Sequence, residues 1–334
     1  MEINKEQFLS KIGSVKHLDG YYLYLITSIS MIGCVLNLIS FRIILFIKER
    51  ELQLYYNYLK VYCLISSIIC AIYMFSFLPY APRYHNFYLS YFTRFYRTYL
   101  NGHFGITLYF VVNCLDVLLA TERFWILKNK LKNYNHVKFA KIIIFIFLAC
   151  FFINLPSWIA LYPISNDDLI SKIKSNSSYI NLSARTKFGA TLFGRIMVMI
   201  SVFIREFITL LIEFILFIIT TLKFRKIIKY HSSLFKRFNS KNAKYMEVYL
   251  NKLETKRIKS KRNFTLLTIF LVLISFITRF VVFYSFLVFY VYGFVNDYYR
   301  FSATLSIVLK NFSNFFVFYF FNKKFRAIFW SKVK

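Results

Sequence analysis

Glycine and proline are scarce in this chain, 8 and 4 of 334 residues. Transporters built from broken helices exploit both, and no internal repeat is evident, so that architecture is disfavoured. Acidic residues are few as well: 14 Asp and Glu against 44 Lys and Arg, a formal net charge of +30. A nucleic-acid groove would gather that charge on one folded face. Here the basic residues cluster between long apolar runs, which excludes nucleic acid as the partner. All five cysteines (Cys34, Cys63, Cys70, Cys114 and Cys150) fall inside apolar runs. They read as small hydrophobes, with none positioned for an extracellular disulfide. His17, His85, His103, His136 and His231 show no metal-ligand spacing, and no Gly-rich phosphate loop or nucleophile motif is present. No cofactor is expected, and an enzyme is the weakest of the functional classes. Residues 1–20 are polar and lack the apolar core of a secretory signal, so the first span is expected to serve as its own insertion signal.

What the chain has instead is apolar length. Hydrophobic residues make up 58% and aromatic residues 22%, with only 17% charged and a mean hydropathy of +0.51. Lipid is the solvent that this composition suits. A helix needs about 20 mainly apolar residues to cross the hydrocarbon core. Seven stretches meet that length, near 21–47, 54–79, 98–127, 139–162, 191–222, 264–290 and 299–321. They are continuously apolar, whereas barrel strands alternate. The expected fold is therefore all-α, a bundle of seven transmembrane helices over 21–321. Residues 1–20 form an N-terminal segment, and 322–334 a short amphipathic helix and tail.

Basic residues set the orientation. Segments 48–53, 128–141, 223–262 and 322–334 hold 26 Lys and Arg, 14 of them in 223–262, against 11 in the N-terminus and the other three connections. The positive-inside rule places the first set in the cytoplasm and the N-terminus outside. The sequons at Asn176 and Asn181 then fall in an exterior connection, where glycosylation occurs, while those at Asn263 and Asn311 should stay bare.

Three patches carry a sharper signal. Leu119-Ala120-Thr121-Glu122-Arg123-Phe124 closes the third span, Asn37 stands alone deep in the first, and Asn314-Phe315-Phe316-Val317-Phe318 closes the seventh. An Arg beside an acid at a membrane edge is costly unless paired or wet, which makes it a functional candidate. In these residues the chain resembles the rhodopsin-like G-protein-coupled receptors. Glu122-Arg123-Phe124 is similar to that family's (Asp/Glu)-Arg-Tyr triplet, with Phe in the third place. Asn314 to Phe318 is similar to its Asn-Pro-x-x-Tyr, without the Pro and the Tyr. Asn37 matches the first-span Asn, and Phe325, with Lys323, Lys324 and Phe329, suits the family's short amphipathic helix. The chain departs from the family at Ser67, where the second span usually has Asp, and in the sixth span. Aligning Phe276 to the family's Phe puts Phe280 at its Trp and Val282 at its Pro.

The resemblance implies a receptor. An extracellular ligand, of a class the residues leave open, would shift helices to engage a heterotrimeric G protein in a plasma membrane whose lipid is the third partner. Glu122, Arg123, Phe124, Asn314 and Phe318 would form its signalling switch. The alternative is a transporter or channel whose intramembrane charges line a path. Those charges are Asp116, Arg205, Glu206, Glu213, Arg279 and Lys310. In the family, the position held here by Lys310 joins the second-span Asp around a sodium ion. With Ser67 in place of that Asp, the expectation is that the Lys310 ammonium replaces the ion and pairs with Asp116, in a polar network with Asn37 and Ser67. The other reading has each charge snorkelling or pairing elsewhere. Arg279 either lines a ligand cavity with Phe280 and Glu206 or pairs with Glu206 or Glu213.

Overall fold

A computed structural model describes residues 21–47, 53–76, 90–127, 136–163, 165, 183–238, 270–288 and 297–333. Helix α1 is Thr27–Leu45, entered through a π-helical turn at Tyr21–Ile26, and α2 is Gln53–Met74. Helix α3 runs through three consecutive stretches, Tyr91–Phe95, a π-helical Tyr96–Gly105 and Ile106–Leu127. It therefore starts earlier than residue 98, because Ser90 caps it by accepting the Thr93 amide at 3.2 Å. Helix α4, His136–Ala160, contains Pro156 near its end. Two short strands follow, β1 at Leu161–Pro163 and β2 at Ser183–Arg185, antiparallel with Tyr162 opposite Ala184. Helix α5 is also composite: Leu192–Val202, a π-helical turn Phe203–Ile208, and Thr209–Phe238. It continues sixteen residues past the expected end at 222, since the Lys- and Arg-rich sequence beyond still suits a solvated helix. Helix α6 is described over Phe270–Val288, α7 is Asp297–Phe321, and α8 is Lys323–Val333.

Among the described residues, six helices are long and apolar enough to cross a membrane: the runs containing α1, α2, α3, α4, α6 and α7. The remaining one, α5, carries Arg205, Glu206 and Glu213 within its apolar run and completes the bundle of seven. Burial is inverted relative to a water-soluble bundle. Large apolar side chains such as Phe145, Phe152, Leu192 and Phe193 face outward, while Asn37, Asn113, Asp116, Arg279, Lys310 and Asn311 are interior. A sheath of this kind is stable only against hydrocarbon, and the chain is a multi-pass membrane protein.

Helix α1 packs closely against α2 and α7. A Cβ on Gly33 would come within 3.0 Å of Cys70 Sγ and 3.6 Å of Phe312, so a small residue lets the three helices close. Helix α5 packs along α3, and α4 along the start of α5. Helix α8 turns back beneath α7: Phe325 is buried against Phe315 and Phe318, and the half-buried Phe329 packs on Phe315 and Tyr319.

Candidate functional site

The bundle's centre is charged. Asp116 on α3 accepts from Lys310 Nζ on α7 at 2.7 Å and from Arg279 Nη2 on α6 at 2.8 Å, both at Oδ2. The same Nη2 reaches Glu213 Oε2 on α5 at 3.1 Å. Two cations and two carboxylates thus form one chain, Lys310–Asp116–Arg279–Glu213, that joins four helices. All four are buried, Arg279 completely and Asp116, the most exposed, at 8%. Ionised groups at that depth persist only when paired and hydrogen-bonded. The secondary bonds are present. Lys310 donates to Asn113 Oδ1 at 2.7 Å, Arg279 Nη1 to Thr209 Oγ1 at 3.3 Å, and Ser275 to Glu213 at 3.3 Å. The Lys310 ammonium also lies 5.2 Å from the Tyr109 ring centroid.

A second polar cluster lies farther along the bundle, toward the end where α3 begins. Arg205 Nε and Glu206 Oε1 pair at 2.6 Å. Neighbouring side chains on an α-helix splay apart, and it is in the π-helical turn Phe203–Ile208 that these two meet. Arg205 donates to Asn154 Oδ1 on α4 at 3.2 Å, and Asn154 Nδ2 donates to Thr107 on α3 at 3.3 Å. Trp158 Nε1 donates to the same hydroxyl at 3.2 Å and stacks on His103. Thr209 connects the clusters, donating to the Arg205 carbonyl at 2.5 Å while accepting from Arg279.

At the opposite end of the bundle, Arg123 is buried and donates to the Tyr55 hydroxyl on α2 at 2.5 Å, its guanidinium 5.1 Å from that ring's centroid. Glu122 and Phe124 beside it are half-buried, and Lys223 of α5 lies over the Phe124 ring at 5.4 Å. Asn314 accepts from the Tyr62 hydroxyl at 3.3 Å, linking α7 to α2, and Phe318 is buried against Phe325 of α8.

The polar residues singled out in the sequence separate into two groups. Asp116 and Lys310 are brought together. Asn37 instead donates to the Gly33 and Asn311 carbonyls at 2.8 and 3.0 Å, tying α1 to α7, and Ser67 donates to the Cys34 carbonyl at 3.3 Å, tying α2 to α1. The groups meet on α7, where Lys310 and Asn311 are adjacent. Of the two carboxylates considered for Arg279, Glu213 is the partner, while Glu206 is held by Arg205. Phe280 lies outside the interior: it is 57% exposed, on the apolar face of α6 with Phe276. The reason is helical phase. With Arg279 and Val282 turned inward, residue 280 must face lipid. Asn176 and Asn181 lie outside the described residues.

Asn113, Thr209, Ser275, Asn154 and Tyr55 hold the charged side chains in place and were not expected from the sequence. Asn113 sits one turn before Asp116 on the same helix face, which is the one pattern that could have identified it.

No family model matches the chain, and no curated protein sequence matches it. Among solved structures, the crystal structure of squid rhodopsin superposes with a TM-score of 0.68 at 15% sequence identity, covering 94% of this chain and 86% of rhodopsin's. Similarity so low in sequence and so extensive in space is a likeness of fold. Seven helices in this order, followed by a short eighth beneath the seventh, give this chain a rhodopsin-like fold.

Proposed function

We propose that the chain is a plasma-membrane receptor that converts binding of an extracellular ligand into helix movement and activation of a heterotrimeric G protein. Residues 1–20 lie outside and 322–334 in the cytoplasm in this reading, which rests on the 26-to-11 distribution of Lys and Arg. The exposed Arg225 and Lys226 on α5, with Lys323 and Lys324 on α8, would then meet anionic lipid headgroups and the cytosolic partner.

The observation that carries the reading is Arg123. Its guanidinium is drawn inside the bundle's end and held by the Tyr55 hydroxyl and ring, beside Glu122. A charge held at that depth, at the very end of the bundle, has a competing arrangement in which it turns outward to a cytosolic surface, and two arrangements are what a switch requires. Asn314 and Phe318 would carry movement of α7 to the same end. The transporter alternative is less well supported, because the central charges bind one another across four helices and are buried, where a path would need them wet. A ligand would act by biasing the interior from the end where α3 begins, where Glu206 and Arg205 lie nearest.

G-protein activation in membranes expressing the chain, beside Arg123→Ala at matched surface level, tests this. Basal or ligand-evoked activity that disappears in the variant supports the receptor and its switch together. Activity untouched by the substitution removes Arg123 from the mechanism.

A further inference from the structure

We propose that the buried chain Lys310–Asp116–Arg279–Glu213 is the lock that keeps this bundle closed, with Arg279 as the link that must part before α6 can move. The inference concerns the bundle's own two states and stands whether or not a G protein reads them. Three ion pairs, at 2.7, 2.8 and 3.1 Å, run through one helix after another, α7 to α3 to α6 to α5. Helix α6 contributes Arg279, whose Nη2 touches the carboxylates of both Asp116 and Glu213, beside the weaker bond from Ser275 to Glu213. Displacing α6 therefore strips both Asp116 and Glu213 of a guanidinium at once. Charges separated in a dry interior are far costlier than the pair, so no partly displaced position is stable. The bundle is either closed with the chain intact or open with water around the parted ions.

A second observation places these states within reach of one another. Around the chain, several buried polar atoms have no hydrogen-bond partner among the described residues: Tyr109 Oη, Asn113 Nδ2, Arg279 Nε and Glu206 Oε2. Each is unfavourable in the closed packing, and each gains a partner when water enters. The ion pairs hold the bundle shut against that tendency. The arithmetic of charge also matters. With two cations and two carboxylates the cluster is neutral, so removing one charge strands another, whereas removing one of each sign does not.

This gives a test that separates locking from folding. In the Asp116→Asn, Lys310→Met double variant the charges stay balanced and the Arg279–Glu213 pair survives, but the ionic ties from α3 to α6 and α7 are gone. In the Glu213→Gln, Lys310→Met variant the balance is the same and the Asp116–Arg279 tie remains. Spin labels at Leu45→Cys on α1 and Leu273→Cys on α6, both outward-facing positions, report the separation of the helices in nanodiscs. The label background is Cys34→Ala, Cys114→Ala. The first variant is expected to shift the distance distribution to longer values as its main component, and the second to match the unmodified chain. Identical distributions in the first variant and the unmodified chain, or equal opening in both variants, would overturn the lock. If the first variant cannot be purified, the Arg279→Met, Glu213→Gln double variant decides. It keeps the charges balanced and the Lys310–Asp116 pair intact while removing every tie that Arg279 makes, so a longer-distance population should emerge, and its absence refutes the proposal.

Discussion

Tyr109 illustrates how the interior is balanced residue by residue. Its ring supports the Lys310 ammonium, yet its hydroxyl is buried without a partner among the described residues. Tyr109→Phe keeps the ring and deletes the unsatisfied group, so it should stabilise the closed protein, by about 1 kcal/mol. A rise in thermal unfolding temperature in detergent is the expected result, and a fall would mean that the hydroxyl is bonded in the membrane. Lys310 and Asp116 should behave in the opposite sense. Lys310→Met or Asp116→Leu alone leaves an uncompensated buried charge and is expected to cost about 3–5 kcal/mol. The double change should recover much of the folded yield, measured as monodisperse protein after extraction, and failure to recover any would show that the two do not act as a pair. Lone charges in apolar runs are legible in a sequence because so few partners exist for them. Uncharged helpers are not: Asn113 and Thr209 are tolerated at many membrane positions, and only the fold shows which face they occupy. Phe280 differs from the expectation for a related reason: alignment to the family gives its place along the helix, while its direction is set by the phase of Arg279 on the same helix.

Helices were recognisable from apolar length, but their irregularities were not. The π-helical turn in α5 lies where the apolar run holds Arg205 and Glu206, and nothing in the local propensities marks the extra residue in that turn. The start of α5 is built from a repeated pattern, Thr186-Lys187-Phe188-Gly189 and Thr191-Leu192-Phe193-Gly194. In each, the threonine hydroxyl accepts from the glycine amide at 3.0 Å, capping first a single helical turn at Lys187–Ala190 and then α5 itself. The first threonine also donates to the Ile159 carbonyl at 2.8 Å, fastening the corner to the end of α4. Both glycines are needed for close approach. A Cβ at Gly189 would lie 2.2 Å from the Ala160 carbonyl oxygen, and one at Gly194 2.0 Å from that of Phe188. Because these neighbours are backbone and cannot rotate away, Gly194→Ala should destabilise the protein by about 1–3 kcal/mol. Thr191→Val should cost about 1 kcal/mol through the lost cap. Thermal unfolding of the two variants side by side would test this order, and an equal or reversed ranking would contradict it.

At the scale of the molecule, the sequence was most informative about what surrounds the chain and least about how its charges are satisfied. An apolar sheath over a polar centre follows from composition and run length, because only lipid tolerates that much exposed Phe, Ile and Leu. The pairing among α3, α5, α6 and α7 depends on rotation of each helix about its axis, which low amphipathicity leaves undetermined until the helices pack. Orientation follows from loop charge alone and has a direct consequence. If the N-terminus is outside, Asn176 and Asn181 meet the glycosylation machinery, whereas Asn263 does not. Asn311 cannot: it is buried, its amide donates to the Ile307 carbonyl, and its own carbonyl accepts from Asn37. In a eukaryotic membrane, peptide N-glycosidase should therefore shift the mobility of the chain, and an Asn176→Gln, Asn181→Gln double variant should abolish that shift. A surviving glycan traced to Asn263 would invert the topology, put Arg123 on the outer face, and remove the ground for coupling to a cytosolic partner.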